Sequence, residues 1–175
     1  DQLLAIQYRY DAPISRKVKY FLNFVLDPAA RVDWTRQRFV DMFGSEQAAS
    51  EALYMNADDL RVLAGRHLLG THAHTHVPLA TLSATHAQQE IAQSLDVLEY
   101  LSGRRPNGIS YPFGGQSAVS ESVFATAQAL GLQYGFTMER GVNTGNDKSP
   151  MALKRIDVND INAWVDATPP LPLAE

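Results

Sequence analysis

The second half of the sequence alternates short apolar stretches with amphipathic helices, and this alternation limits the fold more than any other feature. Helices are predicted from Ser83 to Gly103 and from about Ser120 to Leu130, each closed by a glycine. The candidate strands around them are His67–Thr71, Gly108–Tyr111, Tyr134–Met138 and Leu153–Val158. Strands separated by helices of this length form βαβ units, which build a parallel sheet or barrel. In such α/β folds the chemistry lies at the carboxyl ends of the strands.

The first third of the sequence predicts helices instead. Apolar residues recur at helical spacing from Ile14 to Leu26, where Asp27-Pro28 interrupts the pattern. A second helix carries Trp34 and ends at Gly44. A third begins at Asn56, a residue type that favours the N-cap position, and ends near Gly65.

Composition excludes several classes of protein. Hydrophobic residues make up 45% and charged residues 19%, as in a soluble globular domain. The formal net charge of −4 argues against nucleic acid as a main partner, since phosphate binding requires a basic face. The absence of cysteine excludes disulfides and thiolate metal sites. No apolar run approaches the ~18 residues of a membrane span, so we predict no transmembrane segment.

Three histidines lie close together in the segment from Gly70 to Pro78, where the first candidate strand ends: His72, His74 and His76. Imidazole is the commonest side-chain ligand for metals near neutral pH. His72 and His76 can share a face on a helical turn or on an irregular extended segment. The H-E-x-x-H zinc protease pattern does not apply, because Ala73 replaces the catalytic carboxylate. One isolated histidine would indicate a structural group, but three within five residues predict a metal site. We expect His67 and His86 to be structural or surface residues.

The segment from Leu68 to Ser83 resembles the second motif of the polysaccharide deacetylase family (NodB-like, carbohydrate esterase family 4). That motif is H-[ST]-x-x-H, followed by a proline and a short link into a helix. The resemblance implies that His72 and His76 are metal ligands, with His74 and Thr75 as accessory residues. Ala73 stands where the family has a hydroxyl that braces the metal loop. We therefore expect the bracing to come from Thr71 or Thr75.

The segment Gly108-Ile-Ser-Tyr-Pro-Phe-Gly114 is similar to the family's third motif in its YPYG form. The resemblance implies that the backbone N–H of Phe113 binds an oxyanion, with Pro112 as an accessory residue. Tyr111 stands where many members have an arginine that orients the catalytic base. Alone, this stretch would indicate a plain turn, but its position one helix after the histidines favours the family interpretation. The resemblance covers about residues 50 to 166, and residues 16–25 are similar to an insertion found in some members.

The family's first motif, F-D-D-G, does not occur in this sequence. In the family its first Asp is the general base and its second is the third metal ligand. We interpret Asp58-Asp59 as capping charges in the first turn of a helix, and regard Asp11 and Asp157 as weak substitutes. We therefore expect the motif to lie upstream of Asp1, where any targeting segment would also lie. The family's late L-x-H, which supplies a general acid, is also absent, since no histidine follows His86.

Together these features predict an α/β fold, a NodB-like distorted (β/α) barrel that is incomplete because its first strand or strands lie upstream. We expect residues 1–55 to be a helical insertion or linker of that domain, residues 56–166 its C-terminal part and residues 167–175 a proline-rich tail. The bacterial cytoplasm and the cell envelope both remain open as locations, and the oligomeric state is not set.

The resemblance implies metal-dependent hydrolysis of N- or O-acetyl groups on a carbohydrate, with a divalent ion, preferably Zn²⁺, as cofactor and an acetylated carbohydrate as partner. The isolated segment should be inactive, because the third ligand and the base are not in it. The alternative is a catalytically silent domain that binds carbohydrate or acts as a scaffold. A third interpretation is a histidine metal site of purely structural use. Which glycan is the substrate is not encoded in any motif.

Overall fold

A computed structural model describes residues 11–145 and 149–158 of the chain. The chain divides into two compact units between Met55 and Asn56. The predicted proline-rich tail, residues 167–175, lies outside the described residues. In the described ranges, no helix is both long and apolar enough to cross a membrane.

The first unit is helical. Helix α1 (Pro13–Tyr20) continues as a π-helical segment, Phe21–Val25. Helix α2 spans Pro28–Phe43. As predicted, Asp27-Pro28 separates them, because a proline disfavours helical backbone in the residue before it. The Asp27 side chain then caps α2 by accepting hydrogen bonds from the N–H groups of Ala29 and Ala30 in the first turn of that helix.

Helix α2 ends at Gly44, whose φ of 82° places it in the left-handed region that glycine adopts without strain. A further helix, α3 (Glu46–Leu53), begins immediately afterwards at the N-cap Ser45. The sequence prediction missed α3, since its short run of small and polar residues carries little apolar periodicity.

The second unit opens with helix α4 (Ala57–Gly65), which begins as predicted at Asn56. The Asn56 side chain accepts hydrogen bonds from the N–H groups of Asp58 and Asp59, and the Asp59 carboxylate accepts one from the N–H of Asn56. This reciprocal pair is a capping box, which satisfies donors that a helix N-terminus leaves open. The interpretation of Asp58-Asp59 as capping charges is therefore confirmed.

The predicted strand at His67–Thr71 is wrong. His67 has a φ of 60°, and its N–H and that of Leu68 return to carbonyls in the last turn of α4. This pattern is a Schellman motif, which ends a helix by satisfying its last carbonyls. The first residues of the apolar run therefore complete α4, and only Thr71 joins the sheet, through a single parallel bridge to Ile109.

The sheet of the described residues has three parallel strands in the order β1 (Gly108–Ser110), β2 (Tyr134–Arg140) and β3 (Leu153–Arg155). Helix α5 (Ala84–Ser102) precedes β1, and helix α6 (Glu121–Ala129) connects β1 to β2. The predicted parallel α/β arrangement is confirmed, although β3 stops short of Val158. Three strands form an open sheet, so the barrel remains a prediction.

Apolar side chains from α5, α6 and the sheet form one core. Leu79, Ile91 and Leu95 are fully buried, and the last two lie four residues apart on the inner face of α5. The other buried members of this cluster are Ile109, Tyr111, Val123, Ala127, Leu132 and Met151. The core therefore fixes β1 against α5 and α6.

Tyr111 is a core residue with an unsatisfied polar group. Its side chain is 1% exposed, and its ring lies 5.3 Å from that of Phe124, measured between centroids. Within the described part of the chain, its hydroxyl has no hydrogen-bond partner. Burial raises the pKa of this hydroxyl far above its ordinary value, so the group stays neutral. A Cβ at Gly135 would come within 2.5 Å of the hydroxyl oxygen, so Gly135 provides the space for this ring.

We predict that Tyr111→Phe raises the free energy of unfolding by about 1 kcal/mol, because it removes a buried hydroxyl that makes no hydrogen bond. Urea unfolding of the chain measures the change. The matched control is Tyr134→Phe, which loses a hydroxyl that donates to Asn107 over 3.2 Å; it should lower the free energy of unfolding by about 1 kcal/mol. A Tyr111→Phe variant as destabilised as the control would contradict this account.

Candidate active site

The histidine loop starts from a residue fixed to both the sheet and α5. The Thr71 N–H donates to the Gly108 carbonyl over 2.9 Å, and the Thr71 carbonyl accepts the Ser110 N–H over 3.0 Å. The buried Thr71 hydroxyl pairs with the hydroxyl of Ser94 at 2.6 Å. Because Thr71 is held on three sides, His72 leaves the sheet at the carboxyl end of β1, where parallel α/β folds place their chemistry.

His72 is oriented by a hydrogen bond between its Nδ1 and the backbone carbonyl of Ser110. A carbonyl oxygen can only accept, so Nδ1 must carry the proton. The neutral ring then has its lone pair on Nε2. A histidine whose second nitrogen donates to a backbone carbonyl is the usual arrangement of a metal ligand, since this bond fixes the tautomer and the ring direction.

The histidine loop folds back so that His76 lies beside His72. Its ring centroid lies 4.9 Å from that of His72, with the rings inclined at 62°. On its other side it lies 5.0 Å from the ring of Phe113. The loop achieves this return through left-handed backbone at Ala73 (φ 60°) and His76 (φ 58°). Such conformations cost roughly 1–3 kcal/mol each in residues other than glycine, and they cluster at functional sites.

Glu90 on α5 holds the middle of the loop. Its carboxylate accepts hydrogen bonds from the N–H of Thr75 (2.8 Å), the hydroxyl of Thr75 (2.8 Å) and the N–H of His74 (3.2 Å). The bracing expected from Thr71 or Thr75 is thus provided by both, Thr71 through Ser94 and Thr75 through Glu90. The spacing of Glu90 along α5 gives no indication of this contact in the sequence.

The hydrogen bonds from the loop also change the acidity of Glu90. Partial burial is the largest single influence on its pKa and raises it. The hydrogen bonds from Thr75 and His74 together outweigh burial, so the pKa of this carboxyl lies below its ordinary value of 4.5. Glu90 is therefore ionised at neutral pH and holds the loop as an anion.

The Tyr-Pro-Phe-Gly segment forms a tight turn at the end of β1. Phe113 has a φ of 61°, and the Gly114 N–H donates to the Pro112 carbonyl over 2.7 Å, which closes a γ-turn. The Gly114 carbonyl accepts the Met138 N–H over 2.8 Å, and a Cβ at Gly114 would come within 2.8 Å of that nitrogen. Only glycine therefore allows the turn to lie this close to β2.

Phe113 combines a backbone donor with a side chain that contacts the histidine loop. The Phe113 N–H donates to no residue in the described ranges. The Phe113 side chain is 58% exposed and contacts His76, whereas Pro112 is buried. Tyr111 turns into the core, so its hydroxyl does not line this end of the sheet. The structure thus brings His72, His76 and Phe113 together and separates Tyr111 from them.

The imidazoles of His72 and His76 are the groups that would hold a metal at this site. Across residues 11–145 and 149–158, no group of three or more His, Cys, Asp or Glu side chains could hold a metal ion. Asp157 instead accepts a hydrogen bond from Arg140 over 3.3 Å. His72 and His76, with one tautomer already fixed, fit part of a ligand set that needs at least one more donor.

Comparison with known families decides the identity of this chain. The family model described as polysaccharide deacetylase matches residues 42–135, slightly more than half of the sequence. This chain belongs to the polysaccharide deacetylase family. The match includes both the histidine loop and the turn at Phe113, as the sequence resemblance predicted. No curated protein sequence matches this member of the family.

Two solved deacetylases share the fold of this family member. The BpsB deacetylase domain from Bordetella bronchiseptica superimposes with a TM-score of 0.51 and 19% identity, covering 59% of this chain and 48% of that one. The deacetylase PplD from Streptococcus pyogenes, in complex with acetate, gives the same TM-score and identity, with 59% and 44% covered. The polysaccharide deacetylase chain described here therefore spans about half the length of these two structures.

We predict that Glu90→Gln destabilises the chain at pH 7 by about 1 kcal/mol, because an amide accepts the loop's N–H groups less strongly than a carboxylate does. The lowered pKa of Glu90 means that its stabilisation is present above pH 4.5 and is lost as the pH falls through the folded-state pKa. The unfolding free energies of the two proteins should therefore converge once the pH has fallen below the folded-state pKa of Glu90.

The control is Glu99→Gln on the same helix, where an exposed carboxylate pairs with Arg105. An exposed ion pair of this kind contributes less than ~1 kcal/mol. Amide proton shifts of His74 and Thr75 should change in Glu90→Gln and stay constant in Glu99→Gln. Unchanged His74 and Thr75 amide signals in Glu90→Gln would show that the carboxylate does not hold the loop.

Proposed function

We propose that this chain is part of a metal-dependent carbohydrate deacetylase that hydrolyses N- or O-acetyl groups. One observation carries the proposal. The Nδ1–H of His72 is committed to the Ser110 carbonyl, which leaves the lone pair on Nε2, and the His72 ring packs beside that of His76, which in turn contacts the Phe113 ring. A pair of metal ligands and an oxyanion donor on one edge of a sheet are two of the parts that metal-dependent acetyl hydrolysis uses, beside a third ligand and a general base.

His72 and His76 would supply two ligands to a divalent cation. Zn²⁺ fits best, since it accepts imidazole together with a carboxylate and keeps a position open in catalytic sites. When bound, such an ion would polarise the acetyl carbonyl and lower the pKa of a water molecule. The exposure of both rings favours this open arrangement over a closed structural site, which normally has four protein ligands.

The backbone of Phe113 would stabilise the negative charge that develops on the acetyl oxygen. Its N–H is held in place by the γ-turn and by the contact of Gly114 with β2, so it needs no rearrangement to act as a donor. A single donor of this kind contributes roughly 3–4 kcal/mol in other acyl-transfer sites. The acetate in the complex of the Streptococcus pyogenes deacetylase is the product that such hydrolysis releases.

A second candidate is a related domain that binds carbohydrate or acts as a scaffold without turnover. Burial of Tyr111 favours it, because position 111 then gives the site no group that could orient a base. The lack of a third ligand in the described ranges points the same way. We prefer the enzyme, since strained backbone at Ala73, His76 and Phe113 is what a working site maintains at a cost to stability.

We predict that His72→Ala and His76→Ala each weaken Zn²⁺ binding by the chain at least tenfold, because each removes one of two converging ligands. Titration of the purified chain against a competing chelator measures the affinity. His74→Ala is the matched control; the contact of His74 with Glu90 is made by its backbone, so this variant should retain most of the affinity. Equal losses in all three variants would show that the ligands are wrongly assigned.

We also predict that residues 1–175 alone, with added Zn²⁺, do not hydrolyse acetylated chito-oligosaccharides or a generic acetyl ester above the rate of free Zn²⁺. A missing general base removes a factor of about 10²–10⁴, in addition to the loss of a ligand. Release of acetate measures turnover. Metal-dependent turnover would mean that a carboxylate within the chain, such as Asp157, completes the site, and Asp157→Asn should then abolish it.

A further inference from the structure

Arg155 connects all three strands at the end of the sheet that carries the histidine loop. It is the last residue of β3 and lies opposite Arg140 of β2. Its Nε donates to the Thr137 carbonyl over 2.6 Å, and its Nη1 donates to the Ser110 hydroxyl over 3.4 Å. Its Nη2 also contacts the sulfur of Met138. One half-buried guanidinium thus joins β3 to β2 and β1.

Ser110 links this guanidinium to the candidate metal ligand. Its hydroxyl accepts from Arg155, its N–H donates to Thr71, and its carbonyl accepts the Nδ1–H of His72. All three groups belong to one residue at the end of β1. A change in the orientation of Ser110 therefore moves its carbonyl oxygen, the acceptor that fixes the His72 tautomer.

An arginine suits this position better than a lysine. Its guanidinium is planar and presents several N–H donors in a rigid fork, so it can reach Thr137 and Ser110 at the same time. Thr137 is itself fixed, since its buried hydroxyl donates to the Leu153 carbonyl and accepts the Glu139 N–H. A flexible ammonium group would hold one of the two acceptors with less geometric definition.

We infer that Arg155 is a positioning residue of the site: by holding Ser110, it keeps His72 in the tautomer that exposes Nε2. The inference rests on the proposed function only in that Nε2 is taken to bind the metal. The positioning of His72 by Arg155 requires no metal. Loss of a contact that orients a metal-binding histidine typically lowers metal affinity by about 10- to 100-fold.

The test uses long-range ¹H–¹⁵N spectra of the metal-free chain at ~pH 8.5, where an ordinary imidazole is neutral. His72 should carry its proton on Nδ1 in the wild-type chain. In Arg155→Met, a large share of His72 should move to the Nε2–H tautomer, and Zn²⁺ affinity should fall about tenfold. Arg105→Met is the matched control, because Arg105 precedes the amino-terminal end of β1 and pairs there with Asp96 and Glu99. The His72 signals of this variant should equal those of the wild type.

Ser110→Ala provides a second variant should Arg155→Met not fold, since it removes only the hydroxyl that accepts from Arg155. It should shift the His72 tautomer in the same direction and by less, as the long Nη1–Oγ distance indicates a weak bond. Folded variants that keep His72 fully in the Nδ1–H form would overturn the inference. A tautomer shift in a chain that binds no Zn²⁺ would support the role of Arg155 while overturning the proposed metal site.

Discussion

The hydrogen bond from His72 to the Ser110 carbonyl is the contact on which the rest of the site depends. It joins the histidine loop to the carboxyl end of β1 and decides which ring nitrogen can bind a cation. The parallel bridge at Thr71 places His72 within reach of that carbonyl, and β1 is itself held by the core between α5 and α6. The geometry of the sheet in this way determines that the lone pair of His72 is on Nε2 and sets the orientation of the ring.

The two loops of the site store backbone strain that their surroundings offset. Ala73, His76 and Phe113 all have positive φ values. Two sets of contacts offset this cost. The ionised Glu90 accepts three hydrogen bonds from the histidine loop, and Gly114 holds the turn through its contact with β2. Such an arrangement keeps His72, His76 and the turn at Phe113 in place without a bound substrate, which suits a preorganised site.

Local signals predicted much of this structure. The cap at Asn56, the glycines that end the helices and the spacing of the α5 residues are encoded within a few neighbouring positions. The wrong strand at residues 67–71 arose because the same apolar residues complete the end of α4, and periodicity does not distinguish the two uses. Glu90 and Arg155 escaped prediction because they act on residues 15 and 45 positions away, contacts that only the folded chain reveals.

The central claim is that His72 and His76 converge on one divalent cation. X-ray absorption at the zinc edge, on the chain loaded with less than one equivalent of Zn²⁺, measures this most directly. The account predicts two imidazole nitrogens at about 2.0–2.1 Å, with oxygen atoms completing the coordination. A spectrum with oxygen ligands alone, or one that His76→Ala leaves unchanged, would contradict it.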